Sequence, residues 1–266
     1  MAIQPHNAKA AATWGSGGAE YDRVSESIAD SIEHLVNRLD VQPGNRVLDL
    51  ATGTGWTARR LAQKGAVVTG VDIGEGVIEA AKQLAREANL DIEFLVGDAE
   101  AIDLPDASFD AITSTCGVMF ASRPDAVARE LARLCRPGGR IGLTTWPPDS
   151  TLAQMFQMMR PYMPPPPSSP PPSPFEWGRP ERVQELLGAD FELGFETGTT
   201  VLRMASGEHV WKVFSEGYGP TKTLYQSIER KEELRRDFVA FHQAHHSGGL
   251  GVAMPRDYLV TIGTRR

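Results

Sequence analysis

The residues Asp49-Leu50-Ala51-Thr52-Gly53-Thr54-Gly55 bring a carboxylate, two hydroxyls and two glycines into one short stretch. Gly53 and Gly55 permit a turn whose backbone touches a ligand directly, with no Cβ in the way. A second acid, Asp72, ends the β-branched run Ala66–Asp72 (AVVTGVD), and a third, Asp98, sits in Gly97-Asp98-Ala99-Glu100 after another apolar run. Carboxylates in these places suit a ligand that presents an ammonium, a sulfonium and hydroxyl groups. They repel a pyrophosphate.

The same stretch also supports a rival reading. Gly53–Ala58 (GTGWTA) satisfies the GxGxx[G/A] dinucleotide fingerprint, and Asp72 falls about 20 residues on, where a ribose-binding acid belongs. A nicotinamide-dependent oxidoreductase is therefore an alternative. Against it stands Asp49, a carboxylate just before the turn where a pyrophosphate would have to approach. The acidic rim of Asp49, Asp72 and Asp98 favours S-adenosylmethionine (SAM).

Other reactive side chains are fewer. His242, His245 and His246 cluster before Ser247-Gly248-Gly249 and are weak candidates for a general base. No carboxylate stands at ligand spacing beside them, so no metal site is expected. Cys116 and Cys135, the two cysteines, form no metal or disulfide pattern and read as small buried groups.

The elements that must position these residues alternate. Val24–Leu39 has helical apolar spacing and Pro43-Gly44 stops it. Then follow a strand at Arg46–Ala51, a helix at Trp56–Gln63, a strand at Ala66–Asp72 and a helix at Glu75–Asn89. Strands at Ile92–Gly97 and Phe109–Thr115, a helix at Asp125–Cys135 and a strand at Arg140–Thr145 complete the series. Such alternation implies a parallel sheet wrapped by helices, with every C-terminal strand end on one edge. Before it, residues 1–20 read as a small, polar segment with a flexible run at Gly15-Ser16-Gly17-Gly18. Beyond Trp146 come a proline-rich run over residues 161–174, a helix at Pro180–Leu187, a strand at Phe191–Arg203, helices over 207–246 and a last strand at Tyr258–Thr264.

The composition of the 266 residues is ordinary for a globular protein, with 41% apolar and 23% charged residues. A net charge of −7 argues against a nucleic-acid partner, which needs a basic surface. No apolar stretch is long enough to cross a bilayer, and no signal core opens the chain, so a cytoplasmic setting without membrane insertion is the expectation. A homodimer is the default oligomer.

The ordered set VLDLATGTG, VTGVDIGEGVIEAA, FLVGDAEAIDLPDASFDAITSTCGVMF and ARELARLCRPGGRIGLTTW resembles the class I SAM-dependent methyltransferases, nearest to the small-molecule branch of the ubiquinone/menaquinone C-methyltransferases. The likeness spans roughly residues 40–147. It implies a Rossmann-like, doubly wound, mostly parallel seven-stranded α/β sheet with an antiparallel terminal strand and helices on both faces. Residues 1–40 would be a helical cap, 41–147 the SAM-binding core, 148–249 a completion carrying a Pro-rich and helical lid, and 250–266 the terminal strand. By the same resemblance Asp49, Ala51, Thr52, Gly53 and Gly55 would sit beside the methionyl part of SAM. Asp72 would hold the ribose, Ile73 pack on adenine, and Gly97, Asp98 and Ala99 meet its edge. Thr115 would lie near the carboxyl-propyl group and Tyr21 would cap the pocket.

The activity implied is methyl transfer to a small-molecule acceptor, with S-adenosylhomocysteine (SAH) as product. A non-catalytic SAM-binding protein is a further alternative. Met155, Phe156, Met158, Met159, Phe175, Trp177, Trp211 and Phe214 would wall the acceptor, which suits an aromatic, isoprenoid or polyketide-like molecule.

Overall fold

The computed structural model describes residues 1–166, 170–246 and 251–266. A 3-10 turn at Pro5–Asn7 leads into α1 (Ala8–Gly15), α2 (Tyr21–Glu26) and α3 (Ala29–Leu39). The expected single helix over 24–39 is broken, because the Ser27 hydroxyl donates to the Val24 carbonyl at 2.7 Å and Ile28 leaves helical geometry. The segment expected to be flexible is folded. Its glycines serve close packing: a Cβ on Gly17 would lie 2.2 Å from the Gly217 carbonyl oxygen.

The alternating series follows as β1 (Arg46–Leu50), α4 (Trp56–Gln63), β2 (Val67–Asp72), α5 (Glu75–Glu87), β3 (Ile92–Val96), β4 (Phe109–Thr115), α6 (Pro124–Leu134) and β5 (Cys135–Thr145). Cys135 opens β5 instead of ending α6. It pairs with Phe109, and a register shift between Phe109 and Ala111 absorbs the Pro-Gly-Gly that reads as a helix stop. The chain continues through α7 (Thr151–Met159), α8 (Pro180–Leu187), β6 (Phe191–Met204), α9 (Gly207–Gly217), α10 (Gly219–Ser227), α11 (Lys231–Gln243) and β7 (Val252–Arg265). Side-chain caps start two of these helices: the Ser150 hydroxyl accepts from the Ala153 amide and that of Ser206 from the His209 amide.

The seven strands form one sheet in the order β3-β2-β1-β4-β5-β7-β6. The first five pair in parallel; β7 runs antiparallel to both β5 and β6. Strand alternation divides the core between the two faces. Leu48 and Leu50 join the larger cluster with Ile112, Leu131 and Leu143, while Val47 joins Ile32, Leu61 and Ile78 on the other side. The terminal strand is longer than expected, starting at Val252. Its antiparallel insertion between β5 and β6 is the terminal arrangement that the resemblance implies. Among the described residues no helix is long and apolar enough to cross a membrane.

Candidate active site

Strand order reverses at β1, which β2 flanks on one side and β4 on the other, and a crevice opens there outside the C-terminal strand ends. It holds a cleft of about 780 Å³, part of it open to solvent. Nine of the twelve residues expected to bind the cofactor line it: Tyr21, Ala51, Gly53, Asp72, Ile73, Gly97, Asp98, Ala99 and Thr115. Asp49, Thr52 and Gly55 do not. Leu50, Val71 and Phe120 do, and sequence reasoning gives them no role in the cofactor site.

Asp49 is the principal correction. Side chains alternate along β1, so Leu50 faces the cleft while Asp49 points to the α4 side with Val47. Its Oδ2 accepts from the Thr52 hydroxyl at 2.5 Å and the Ala58 amide at 3.1 Å, and so clamps the turn from beneath. Its Oδ1 is buried without a partner. Burial pushes this carboxyl up to about 7, against the pull of both hydrogen bonds. The rim therefore has two acids, Asp72 and Asp98, with Asp49 one layer below.

Asp72 ties the glycine turn to β2. Its Oδ2 accepts from the Gly53 amide at 2.9 Å and its Oδ1 from the Gly74 amide at 2.8 Å. Each carboxylate oxygen can accept two bonds and here accepts one, so one lone pair on each is left for a diol. Burial raises its pKa, with the backbone amides opposing. Gly53 sits at φ 55, and a Cβ there would come 3.1 Å from the Tyr21 ring. Gly55, at φ 82, starts α4 and would meet Phe94 at 2.8 Å. The second glycine thus packs the turn onto the sheet and does not face the cleft.

Ala51 also lies in the left-handed region, at φ 56. That region favours glycine over a residue with a Cβ. The methyl group is accommodated by Gly117 after β4, whose own Cβ would fall 2.3 Å from that of Ala51.

The N-terminal helices form the cover. Asn7 donates to Asp98 Oδ2 at 2.9 Å and accepts from the Ser122 hydroxyl at 2.8 Å, while the Gln4 amide bonds the same Asp98 oxygen at 3.1 Å. Ala10 and Trp14 lie one turn apart on the cleft-facing side of α1. Asn7, Ala10 and Trp14 follow i, i+3, i+7 spacing, a signal available in the sequence. Trp14 packs 4.9 Å from Phe120 and Tyr21 lies 6.4 Å from Tyr218. The Asp22 carboxylate accepts from the Thr54 hydroxyl at 2.8 Å and pairs with Arg59 at 3.1 Å, which fixes α2 against the turn.

The histidines stand apart. His242, on α11, is buried, and its Nδ1–H donates to the Phe238 carbonyl at 2.9 Å. Desolvation drives its pKa down to about 3, which makes it a poor base. His245 bonds the Phe241 carbonyl at 2.9 Å, His246 is exposed, and none of the three lines the cleft. Residues 247–249 beside them lie outside the described residues. Nor does any described residue of 161–177 line the cleft. Phe175 and Trp177 pack in the core, none of the expected wall residues lines the cleft, and Phe156 stands behind it, 6.0 Å from Phe120.

A buried acid pair, a glycine turn and an aromatic cover thus meet at the switch point of a Rossmann-like sheet with an antiparallel last hairpin. The methyltransferase domain family matches residues 48–143. An uncharacterised protein of Mycobacterium tuberculosis is 32% identical over 263 residues, covering 96% of this chain and 93% of its own. A demethylmenaquinone methyltransferase of Beutenbergia cavernae is 35% identical over 126 residues, 46% of this chain and 51% of that protein. The solved structure of the YcgJ protein from Bacillus subtilis superposes with a TM-score of 0.62 at 19% identity, covering 89% of this chain and 98% of that one. The chain belongs to the class I SAM-dependent methyltransferases.

Proposed function

We propose that this enzyme moves the methyl group of SAM to a small, largely apolar acceptor that enters over Phe120 and Phe156. The observation that carries the reading is the meeting of Asp72, Asp98 and the Ala51–Gly53 turn under the cover of Trp14 and Tyr21. These residues fit the group. Asp72 has lone pairs for the ribose hydroxyls, and Ile73, Val77 and Ala99 offer an apolar slot for adenine. When bound, SAM supplies a methyl group already activated by its sulfonium.

The chain's own contribution is alignment and the exclusion of water. Trp14, Tyr21 and Phe120 shed water from the cleft. Tyr21 and Cys116 keep their protons at neutral pH, because burial raises both groups well above their ordinary values. Neither offers an anion that would compete with the acceptor for the methyl group. No described residue that lines the cleft is poised as a base, which suits an acceptor that arrives nucleophilic or acidic.

The test is direct. SAH should raise the unfolding temperature and NADH should not, and protein given methyl-labelled SAM with a metabolite extract should label a low-molecular-weight product. Stabilisation by NADH alone would sink the reading; SAH binding without any labelled product would leave a binding protein.

A further inference from the structure

Arg256 stands on β7 opposite Thr200 and is 2% exposed. Its Nη1 donates to the Ser27 hydroxyl at 3.2 Å, and its guanidinium lies 5.7 Å from the centre of the Phe214 ring. Its Nε and Nη2 are buried and donate to nothing among the described residues. No carboxylate of the described residues reaches it within ion-pair distance. A guanidinium removed from water with no carboxylate in contact and a single hydroxyl as acceptor is expensive to keep. The two idle donors also share one edge of the guanidinium plane. That edge is the fork whose spacing matches the two oxygens of a carboxylate.

The fold places this arginine behind the cleft. Because β7 is antiparallel, its first half extends past the C-terminal end of β5, whose Thr145 pairs with Leu259. Phe214, beneath the guanidinium, is 5.4 Å from Tyr218, which is in turn 5.6 Å from Trp14 and 6.4 Å from Tyr21 of the cover. Cys116, on the cleft wall, is near enough to feel the Arg256 charge. One aromatic layer therefore separates an unpaired cation from the cleft. The turn and acids assigned to the cofactor belong to β1, β2 and β3; Arg256 belongs to the other half of the sheet.

We propose that Arg256 anchors the acceptor: the methyl-accepting molecule carries a carboxylate, gripped in a two-point pair by Nε and Nη2, on an apolar body that spans the aromatic layer. This deepens the proposed function and rests on it.

The test titrates SAH-saturated protein with hexanoate, benzoate and 4-hydroxyphenylacetate and compares each with its amide. The acids should raise the unfolding temperature and the amides should not. Arg256→Met should lose this response by at least tenfold in apparent affinity while keeping the response to SAH. It should also unfold no earlier than the parent protein, since an unpaired buried charge is gone. Equal behaviour of acids and amides would overturn the assignment, and so would an Arg256→Met protein that unfolds earlier. Loss of SAH binding in that variant, with binding of 5′-methylthioadenosine retained, would give the arginine to the cofactor's own carboxylate and equally overturn it. Failure of the parent protein to respond to SAH at all would bring down the methyl-donor reading itself, and this inference with it.

Discussion

Ala51 and Gly117 are a matched pair, and exchanging their methyl group tests the geometry of the cofactor turn. In Gly117→Ala the new Cβ would lie 2.3 Å from the Ala51 Cβ, well inside contact distance. Neither atom ends a flexible side chain, so the overlap has to be relieved by backbone movement, at a cost of about 1–3 kcal/mol. At about 2–4 °C per kcal/mol for a chain of this size, the unfolding temperature should fall by about 2–12 °C. Ala51→Gly removes left-handed strain worth about 1–2 kcal/mol. It also restores about 0.4–1 kcal/mol of chain entropy to the unfolded state and removes a methyl group worth about 0.8 kcal/mol. The single variant should therefore be close to neutral. The double variant gains its Cβ without the overlap and should match Ala51→Gly to within about 1 kcal/mol. Chemical denaturation of the four proteins then gives a coupling of about 1–3 kcal/mol, above the roughly 0.5 kcal/mol scatter of independent sites. Both residues line the cleft, so SAH affinity should follow the same pattern, weakest in Gly117→Ala and recovered in the double variant. Strictly additive energies would mean that the turn is not built as described.

The remaining expectations concern the acids and the cover. The Asp49 carboxyl is raised to about 7 in the folded protein, so between about pH 4 and 7 the folded state holds a proton that the unfolded state has lost. Its burial therefore lowers stability as pH climbs through that window, by at most about 4 kcal/mol, and levels off above it. Asp49→Asn should remove that fall in a series of denaturation curves from pH 4 to 8; an unchanged slope would refute the burial. Asp72→Ala removes charged hydrogen bonds worth about 1.5–3 kcal/mol each and should weaken SAH binding by about 10- to 100-fold by calorimetry, with wild-type affinity as the failing result. Asn7→Ala strips Asp98 of one donor and should speed amide exchange across residues 8–15 while weakening SAH several-fold. Unchanged exchange there would separate the cover from Asp98.

Much of this architecture is legible because its signals are local. Glycine turns, β-branched strands and strand-end acids depend on their neighbours in sequence, so Gly53, Asp72, Ile73 and Asp98 fall where pattern alone puts them. What pattern alone misplaced depends on which face a residue takes. Asp49 was set on the rim by its nearness to the turn, yet the two-residue period of β1 assigns the cleft to Leu50 and sends Asp49 under α4. Polarity hid the cover as well: a segment of alanines and glycines reads as loose chain until the Asn7, Ala10, Trp14 stripe is followed at helical spacing. The hardest case is the start of β7. Arg256-Asp257 reads as the end of a loop, so the pattern starts the strand at Tyr258. Yet Val252, Met254, Arg256 and Tyr258 keep strict alternation, and all four are buried. A charged residue in the buried phase of a strand contradicts the folding pattern that surrounds it. Such contradictions persist where a function holds them in place, and a side chain that breaks the hydropathy rule is therefore a better pointer to the acceptor than the residues that obey it.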